Sequence, residues 1–146
     1  MENSINGKNK TKYVNLDDYK IFDYEIPEIF LDFVINTENV SVNTELRLNK
    51  INKKVDNLIL DGEDIFIKNI YINGSPLDKN FYTQNRKNLI IENIYYDSFI
   101  LKIEGIIKPK ENLSLLGLYE SNGIITTQCE AEGFRRISSM LIGLTF

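Results

Sequence analysis

The stretch from Val40 to Leu48 alternates strictly between two kinds of residue. Every second position is apolar or threonine, and the positions between them are polar. Side chains on a β-strand point alternately to its two faces, so the pattern predicts a strand with one buried face and one face in water. A second extended segment carries apolar side chains at Ile29, Leu31, Phe33 and Ile35. Residues 36–39 are typical of a turn, so the two segments are predicted to be neighbouring strands.

Further short runs rich in β-branched and aromatic residues follow along the chain. They are residues 55–60, 65–72, 88–94, 99–107 and 124–128. Turn-forming residues separate some of them, at 61–62, 73–76 and 108–109. Short strands at this spacing are typical of an all-β domain, either an antiparallel β-sandwich or a curved, saddle-like sheet. No stretch has a helical period, and no Gly-rich phosphate loop or long repeat is present.

Length and composition restrict the class of protein. At 146 residues the chain suits one domain, and its contents of apolar and charged residues are ordinary for a globular protein. No apolar run approaches the roughly 18 residues that a membrane-spanning helix needs. A net charge of −4 and an isoelectric point near 4.9 lack the basic character of a nucleic-acid-binding surface.

The N-terminus and the cysteine content favour a cytoplasmic location. Residues 1–18 are polar and rich in lysine and asparagine, which predicts a mobile tail and lacks the apolar core of a signal peptide. The single cysteine, Cys129, cannot form an internal disulfide. We therefore expect a cytoplasmic chain that binds neither a membrane nor a nucleic acid.

The segment from Thr127 to Arg135 concentrates amide, carboxylate and guanidinium groups. Such groups are rarely buried without partners, so the segment is predicted to be a recognition loop in which Gly133 begins a turn. Gln128 and Glu130 could accept hydrogen bonds from a cationic amine. From the residues alone, the alternative that these two side chains cap or brace a loop stays open.

The composition gives little support to other chemistry. Cys129 has no histidine to act as its base, and the nearby carboxylates of Glu130 and Glu132 disfavour a thiolate, so it is assigned a packing role. One cysteine and no histidine cannot supply the usual zinc ligands, so neither a metal site nor a catalytic residue is predicted in this chain. Residues 61–64 lack the spaced acidic ligands of a calcium loop and are interpreted as a hairpin turn.

The recognition segment also carries a resemblance to a known family. The sequence TTQCEAEGFRRI, preceded by LGLYES, resembles the end of the N-terminal domain of bacterial-type aminopeptidase N, the zinc-dependent alanyl aminopeptidases of the gluzincin class. Upstream stretches that match are DYEIP at 23–27, LILDGED at 58–64 and IYING at 70–74. The resemblance covers residues 19–138 and implies an all-β domain that packs against a downstream catalytic domain.

The resemblance assigns roles to particular residues. It implies that Gln128 and Glu130 line the pocket for the first residue of a peptide substrate, where the carboxylate helps to hold the free α-ammonium group. Glu132 and Arg135 match the motif as well and are expected to be structural. The family's Gly-x-Met-Glu-Asn and His-Glu-x-x-His motifs are absent, so the zinc of the parent enzyme is expected to lie outside this chain. The chain alone is therefore expected to contain no cofactor and to catalyse nothing.

The last residues depart from the family's pattern. The family continues after Arg-x-Ile with four residues and then Asp-Arg-Pro-Asp, whereas residues 139–146 read SMLIGLTF. A reading frame shifted by one base would restore the family's sequence, so we interpret 139–146 as an atypical, frameshifted tail. An alternative also stays open, in which the chain is a free-standing, non-catalytic β-sandwich that binds a peptide or protein partner.

Overall fold

The computed structural model describes residues 21–130 and 132–141. These residues form β-strands and short 3-10 turns but no α-helix. The strands are β1 (Tyr24–Ile35), β2 (Val40–Lys50), β3 (Leu58–Asp61), β4 (Phe66–Ile72), β5 (Ser75–Pro76), β6 (Tyr82–Gln84), β7 (Asn88–Ile91), β8 (Ser98–Ile107), β9 (Gly117–Ser121) and β10 (Ile124–Gln128). The 3-10 turns are Lys79–Phe81, Pro109–Glu111 and Gly133–Arg136. The predicted mobile tail, residues 1–18, and residues 142–146 of the predicted frameshifted tail lie outside the described residues.

The strands pair in antiparallel sheets. The largest sheet has the order β1-β2-β8-β4-β5, a second has the order β3-β7-β6, and β9 and β10 form a hairpin. Buried side chains of the first two sheets form one core, which includes Leu46, Leu48, Leu58, Leu60, Leu89, Ile91 and Leu101. The all-β antiparallel sandwich predicted from the sequence is thus confirmed. Within the described residues, no helix has the length and apolar character needed to cross a membrane.

The alternating pattern of β2 is reproduced in its burial. Val40, Val42 and the other apolar positions of this strand are almost fully buried, and the residues between them are more exposed. β1 pairs with β2 along its length, with one irregularity between Glu25 and Glu28. Yet Phe33, opposite Val42, is 41% exposed, and the apolar side of β1 is only partly covered. The sequence therefore predicted the strand correctly, but its apolar side is buried only in part. Leu31 packs against a core cluster, whereas Phe33 and Ile35 are exposed.

Residues 61–64 do not form the predicted hairpin turn. β3 ends at Asp61 and pairs with β7, whereas β4 lies in the larger sheet and pairs with β8. The segment between them therefore carries the chain from one layer of the sandwich to the other. Backbone hydrogen bonds hold it, from the amide of Glu63 to the carbonyl of Arg135 and in both directions between Asp61 and Met140.

A second apolar cluster lies at one end of the larger sheet. Its buried members are Val40, Val42, Ile65, Ile107, Leu118 and Ile137. Leu118 lies on β9 and Ile137 follows the last 3-10 turn, so the cluster fixes both the β9–β10 hairpin and that turn against the sheet. The buried hydroxyls of Thr44 and Ser138 add a hydrogen bond of 2.6 Å.

A buried cation lies at the opposite end of β2. The Nζ of Lys50 donates to the carbonyl of Ile94 at 2.5 Å and forms an ion pair with Asp56 at 3.3 Å. It lies 5.9 Å from the centre of the Tyr24 ring. The Tyr24 hydroxyl is buried and has no hydrogen-bond partner among the described residues. Burial, together with the negative charges of Asp56 and Asp23, raises the pKa of Tyr24 to about 12.

We expect Tyr24→Phe to raise the free energy of unfolding by about 1 kcal/mol at neutral pH, because it removes a buried hydroxyl without a partner. Folding raises the pKa of Tyr24, so folding disfavours the ionised phenol. Below the unfolded-state pKa of 10.0 the phenol is neutral in both states and the stability of the wild type does not depend on its ionisation. As the pH rises from 10.0 towards about 12, the wild type loses stability because the unfolded state ionises more readily. Urea unfolding should therefore show a larger advantage of the variant at about pH 11 than at about pH 7. Tyr96→Phe is the control, since Tyr96 is 52% exposed. Equal effects of the two substitutions would contradict the prediction.

Candidate functional site

The candidate site begins at the end of the β9–β10 hairpin. Asn122 and Gly123 connect the two strands, and both have positive φ, 53° and 79°. Two consecutive residues with positive φ are the requirement of a tight hairpin turn that matches the twist of its strands. The register places Gln128, the last residue of β10, opposite Gly117, the first residue of β9. The hairpin therefore delivers Gln128 to the point where the chain leaves the sheet.

The structure brings the two predicted site residues, Gln128 and Glu130, together on one exposed loop. The side-chain Oε1 of Gln128 accepts a hydrogen bond of 3.1 Å from the backbone amide of Glu130. This contact is the loop brace that the sequence left open as an alternative role for Gln128. The carboxylate of Glu130 forms no hydrogen bond or ion pair with any residue in the described part of the chain. The loop therefore presents an exposed carboxylate on a backbone that its neighbour holds in place.

Gly133 lies directly beneath this loop, and sequence reasoning assigned it only a turn. It is buried, and a Cβ added there would lie 2.4 Å from the carbonyl oxygen of Gln128 and 3.1 Å from the amide nitrogen of Gly117. No side chain fits between backbone segments that are this close. Because Gly133 has no side chain, the recognition loop can lie this close to the start of β9.

The two arginines that follow make different contacts. Glu132 forms a local ion pair of 3.1 Å with Arg135, three residues further along the chain. Arg136 binds Glu63 at 2.7 Å and also contacts the carboxylate of Asp64, both in the segment that joins the two layers. Arg136 was missed by sequence reasoning, because nothing in its local pattern distinguishes it from Arg135. The contacts of Glu132 and Arg135 fit the structural roles expected of them.

The position of Cys129 can be compared with the role predicted from the composition. Cys129 is half-buried and packs against the second apolar cluster, together with Ile125 and Phe134. The packing role predicted for its side chain is confirmed. Among residues 21–130 and 132–141, no group of acidic or sulfur-containing side chains could hold a metal ion.

Apolar side chains are uncovered close to the loop. Leu113, Leu115 and Leu116 are 89%, 56% and 39% exposed. Beside them a groove of about 680 Å³ is lined by Leu118, Phe66 and other residues that include Arg136. Exposed apolar side chains therefore lead up to Gly117, the residue that pairs with Gln128.

Comparisons with known proteins point to one family. No family model matches the chain. It is similar to aminopeptidase N of Haemophilus influenzae, with 37% identity over 134 residues that cover 90% of this chain and 15% of that protein. Aminopeptidase N of Caulobacter vibrioides is 38% identical over 125 residues, which cover 86% of this chain and 14% of that protein. Among solved structures, Legionella pneumophila aminopeptidase A in complex with aspartic acid shares 30% identity at a TM-score of 0.74, over 86% of this chain and 15% of that chain.

Proposed function

Because the chain is homologous to the all-β N-terminal domain of the M1 zinc aminopeptidases, aminopeptidase N among them, we propose that it acts as part of a zinc aminopeptidase that removes N-terminal residues from peptides. The chain spans only 15% of the length of the Haemophilus relative, so the chemical step is assigned to the remainder of such an enzyme. The role proposed for this chain is to bind and orient the substrate. A cytoplasmic location, in keeping with the single cysteine, is part of the same proposal.

The observation that carries the proposal is the exposed carboxylate of Glu130 on a braced loop. We assign this carboxylate to the α-ammonium group at the N-terminus of the substrate. Two unit charges about 4 Å apart attract by roughly 4 kcal/mol at an effective dielectric constant near 20. Such an attraction favours a peptide with a free N-terminus over one whose N-terminus is blocked. Gln128 contributes by fixing the Glu130 backbone through its Oε1, while its amide NH₂ group stays available as a donor.

Zinc belongs to the parent enzyme in this proposal. The described residues contain no ligand set that fits the metal, so no step is assigned to zinc within this chain. A bound zinc in the rest of the enzyme would supply an activated water. The residues of this chain would hold the ammonium group and help to keep water from its contact with Glu130.

The uncovered leucines are proposed to face the catalytic domain. Leu113 is 89% exposed and Leu115 is 56% exposed, and Asn112, directly before Leu113 in the chain, lines the groove together with Leu118. Apolar surface of this kind is typical of an interface. Its position next to the Gln128 loop would bring the ammonium-binding carboxylate to the border between the two domains.

A chimera tests the proposed function. The segment of Haemophilus influenzae aminopeptidase N that matches this chain would be replaced by the chain itself. We expect the chimera to bind zinc and to hydrolyse aminoacyl-arylamides, and we expect the isolated chain to do neither. A folded chimera with full zinc content but no hydrolysis would contradict the proposal, and so would tight stoichiometric zinc on the isolated chain.

A further inference from the structure

Arg136 connects two parts of the molecule that are far apart in the chain. Its backbone belongs to the turn Gly133–Arg136, at the base of the β9–β10 hairpin, where a Cβ added at Gly117 would lie only 2.7 Å from the Cβ of Arg136. Its guanidinium group lies at the segment that joins the two layers of the sandwich. There Nη2 binds the carboxylate of Glu63 at 2.7 Å, and Nη1 binds that of Asp64. One side chain therefore ties the base of the hairpin to the rest of the sandwich.

The contact uses both ends of the guanidinium fork. Each terminal nitrogen binds a different carboxylate, so the planar group is held at two points and its direction is fixed. The side chains of Arg136 and Glu63 are 17% and 21% exposed, so water and salt screen this ion pair less than one on the open surface. A lysine at this position would keep the positive charge but would bind without the fixed direction.

The backbone of Asp64 has an unusual conformation next to this contact. Its φ is 57°, in the left-handed region that few residues other than glycine occupy. Such a conformation costs free energy and persists only where the surrounding structure holds it. Here Arg136 binds the carboxylate of Asp64, and the amide of Glu63 donates to the carbonyl of Arg135 at 2.8 Å. Side-chain and backbone contacts therefore lock this segment to the turn.

A short series of contacts connects the turn to Glu130. Gly133, the first residue of the turn, packs directly against the carbonyl of Gln128. The Oε1 of Gln128 accepts the hydrogen bond of 3.1 Å from the amide of Glu130. A shift of the turn would therefore move the backbone that presents the Glu130 carboxylate.

We propose that Arg136 is a positioning residue for substrate binding, which holds the Glu130 carboxylate at the place where it meets the α-ammonium group of a peptide. Its guanidinium group is engaged with two carboxylates, so it acts through the turn and through Gln128. The proposal rests on the function proposed above for Glu130. The hold of Arg136 on the loop is a property of this chain alone and can be measured separately.

Arg136→Lys in the Haemophilus chimera tests the positioning role, because it keeps the charge and removes the fork. We expect kcat/KM to fall about tenfold at unchanged zinc content, since small misplacements of a binding group have large kinetic effects. In a Glu130→Gln background the same substitution should change kcat/KM by less than about twofold, because no carboxylate is left to misplace. A loss of equal size in both backgrounds would show a general structural effect and would overturn the proposal.

Backbone dynamics of the chain itself give a readout that does not need activity. Arg136→Lys is expected to lower the order parameter of the Glu130 amide in nuclear magnetic resonance relaxation, while that of Leu46 in β2 stays at about 0.85, the value of rigid backbone. Arg135→Lys is the matched control, because Arg135 is buried to the same extent, at 16% exposure, and its ion pair with Glu132 is local. It should leave the order parameter and the kinetics close to those of the wild type.

Asp64→Asn is a second variant, since asparagine also tolerates the left-handed conformation and the substitution removes only the charge. It should lower the order parameter of the Glu130 amide and kcat/KM by less than Arg136→Lys does, because Glu63 still binds the arginine. An unchanged order parameter in both variants would overturn the proposal. Wild-type kinetics of Glu130→Gln would refute the ammonium role and with it the kinetic part of the proposal, and the order parameter would still decide whether Arg136 holds the loop.

Discussion

Glu130→Gln in the Haemophilus chimera is expected to lower kcat/KM about 30- to 900-fold. This factor corresponds to a loss of about 2 to 4 kcal/mol of transition-state stabilisation. The substitution keeps the shape of the side chain and removes its charge. The ammonium group of the substrate would then be desolvated in the pocket without the carboxylate that compensates for it. Steady-state kinetics on an aminoacyl-arylamide measures the loss, and the zinc content should not change.

Glu132→Gln is the matched control for this prediction. Glu132 is two positions away, has the same charge, and is already engaged with Arg135 at 3.1 Å. Its side chain is 69% exposed, so the loss of that ion pair should have little effect on stability or catalysis. Equal catalytic losses from both substitutions at unchanged stability would show that the ammonium contact is wrongly assigned. Wild-type kinetics of Glu130→Gln would remove the role of Glu130 altogether.

Gly133→Ala is expected to lower the free energy of unfolding of the isolated chain by about 2 to 3 kcal/mol, as overpacking in a tight site does. The added methyl would lie 2.4 Å from the Gln128 carbonyl oxygen and 3.3 Å from its carbonyl carbon, and both are backbone atoms that cannot rotate away. Relief of the contact therefore requires the loop that carries Glu130 to move. Urea unfolding measures the stability, and the chimera with the same substitution should also have a lower kcat/KM.

The control for Gly133 is its neighbour Glu132, replaced by alanine. The Glu132 side chain is 69% exposed and its ion pair with Arg135 is local, so the free energy of unfolding should change by less than the effect of Gly133→Ala, by about 1 kcal/mol at most. A Gly133→Ala variant as stable as the wild type would mean that the close approach at this glycine does not constrain the loop.

Local patterns in the sequence predicted strands well and their pairing less well. The alternation of β2 specified its buried face, because a period of two leaves one choice of face. The same reasoning predicted the apolar side of β1, which lies on the same face of the sheet as the buried side of β2, but could not show that this side would be only partly covered. The error at 61–64 has a similar cause. A glycine after a strand predicts a change of direction, whereas the choice between a hairpin and a crossover depends on the distant partner β7.

The sequence alone predicted the candidate site only in part. Residue chemistry marked the segment around Gln128 and Glu130 as a recognition loop, and the resemblance to a family supplied the substrate. The supporting contacts came from the fold. Arg136 reaches Glu63, and Gly133 lies beneath Gln128, because the second apolar cluster brings these segments together. No local signal in the chain encodes that proximity.

The hydrogen bond between Thr44 and Ser138 joins residues 94 positions apart in the chain, and this separation sets an order of events during synthesis. The strands of the main core are complete once residue 107 has been made, so the sandwich can form early. The second cluster has to wait for Ile137, and closing so long a loop is slow. The Gln128 loop is held by that cluster. Among the described residues, the loop assigned to the substrate is therefore the last part to acquire its shape.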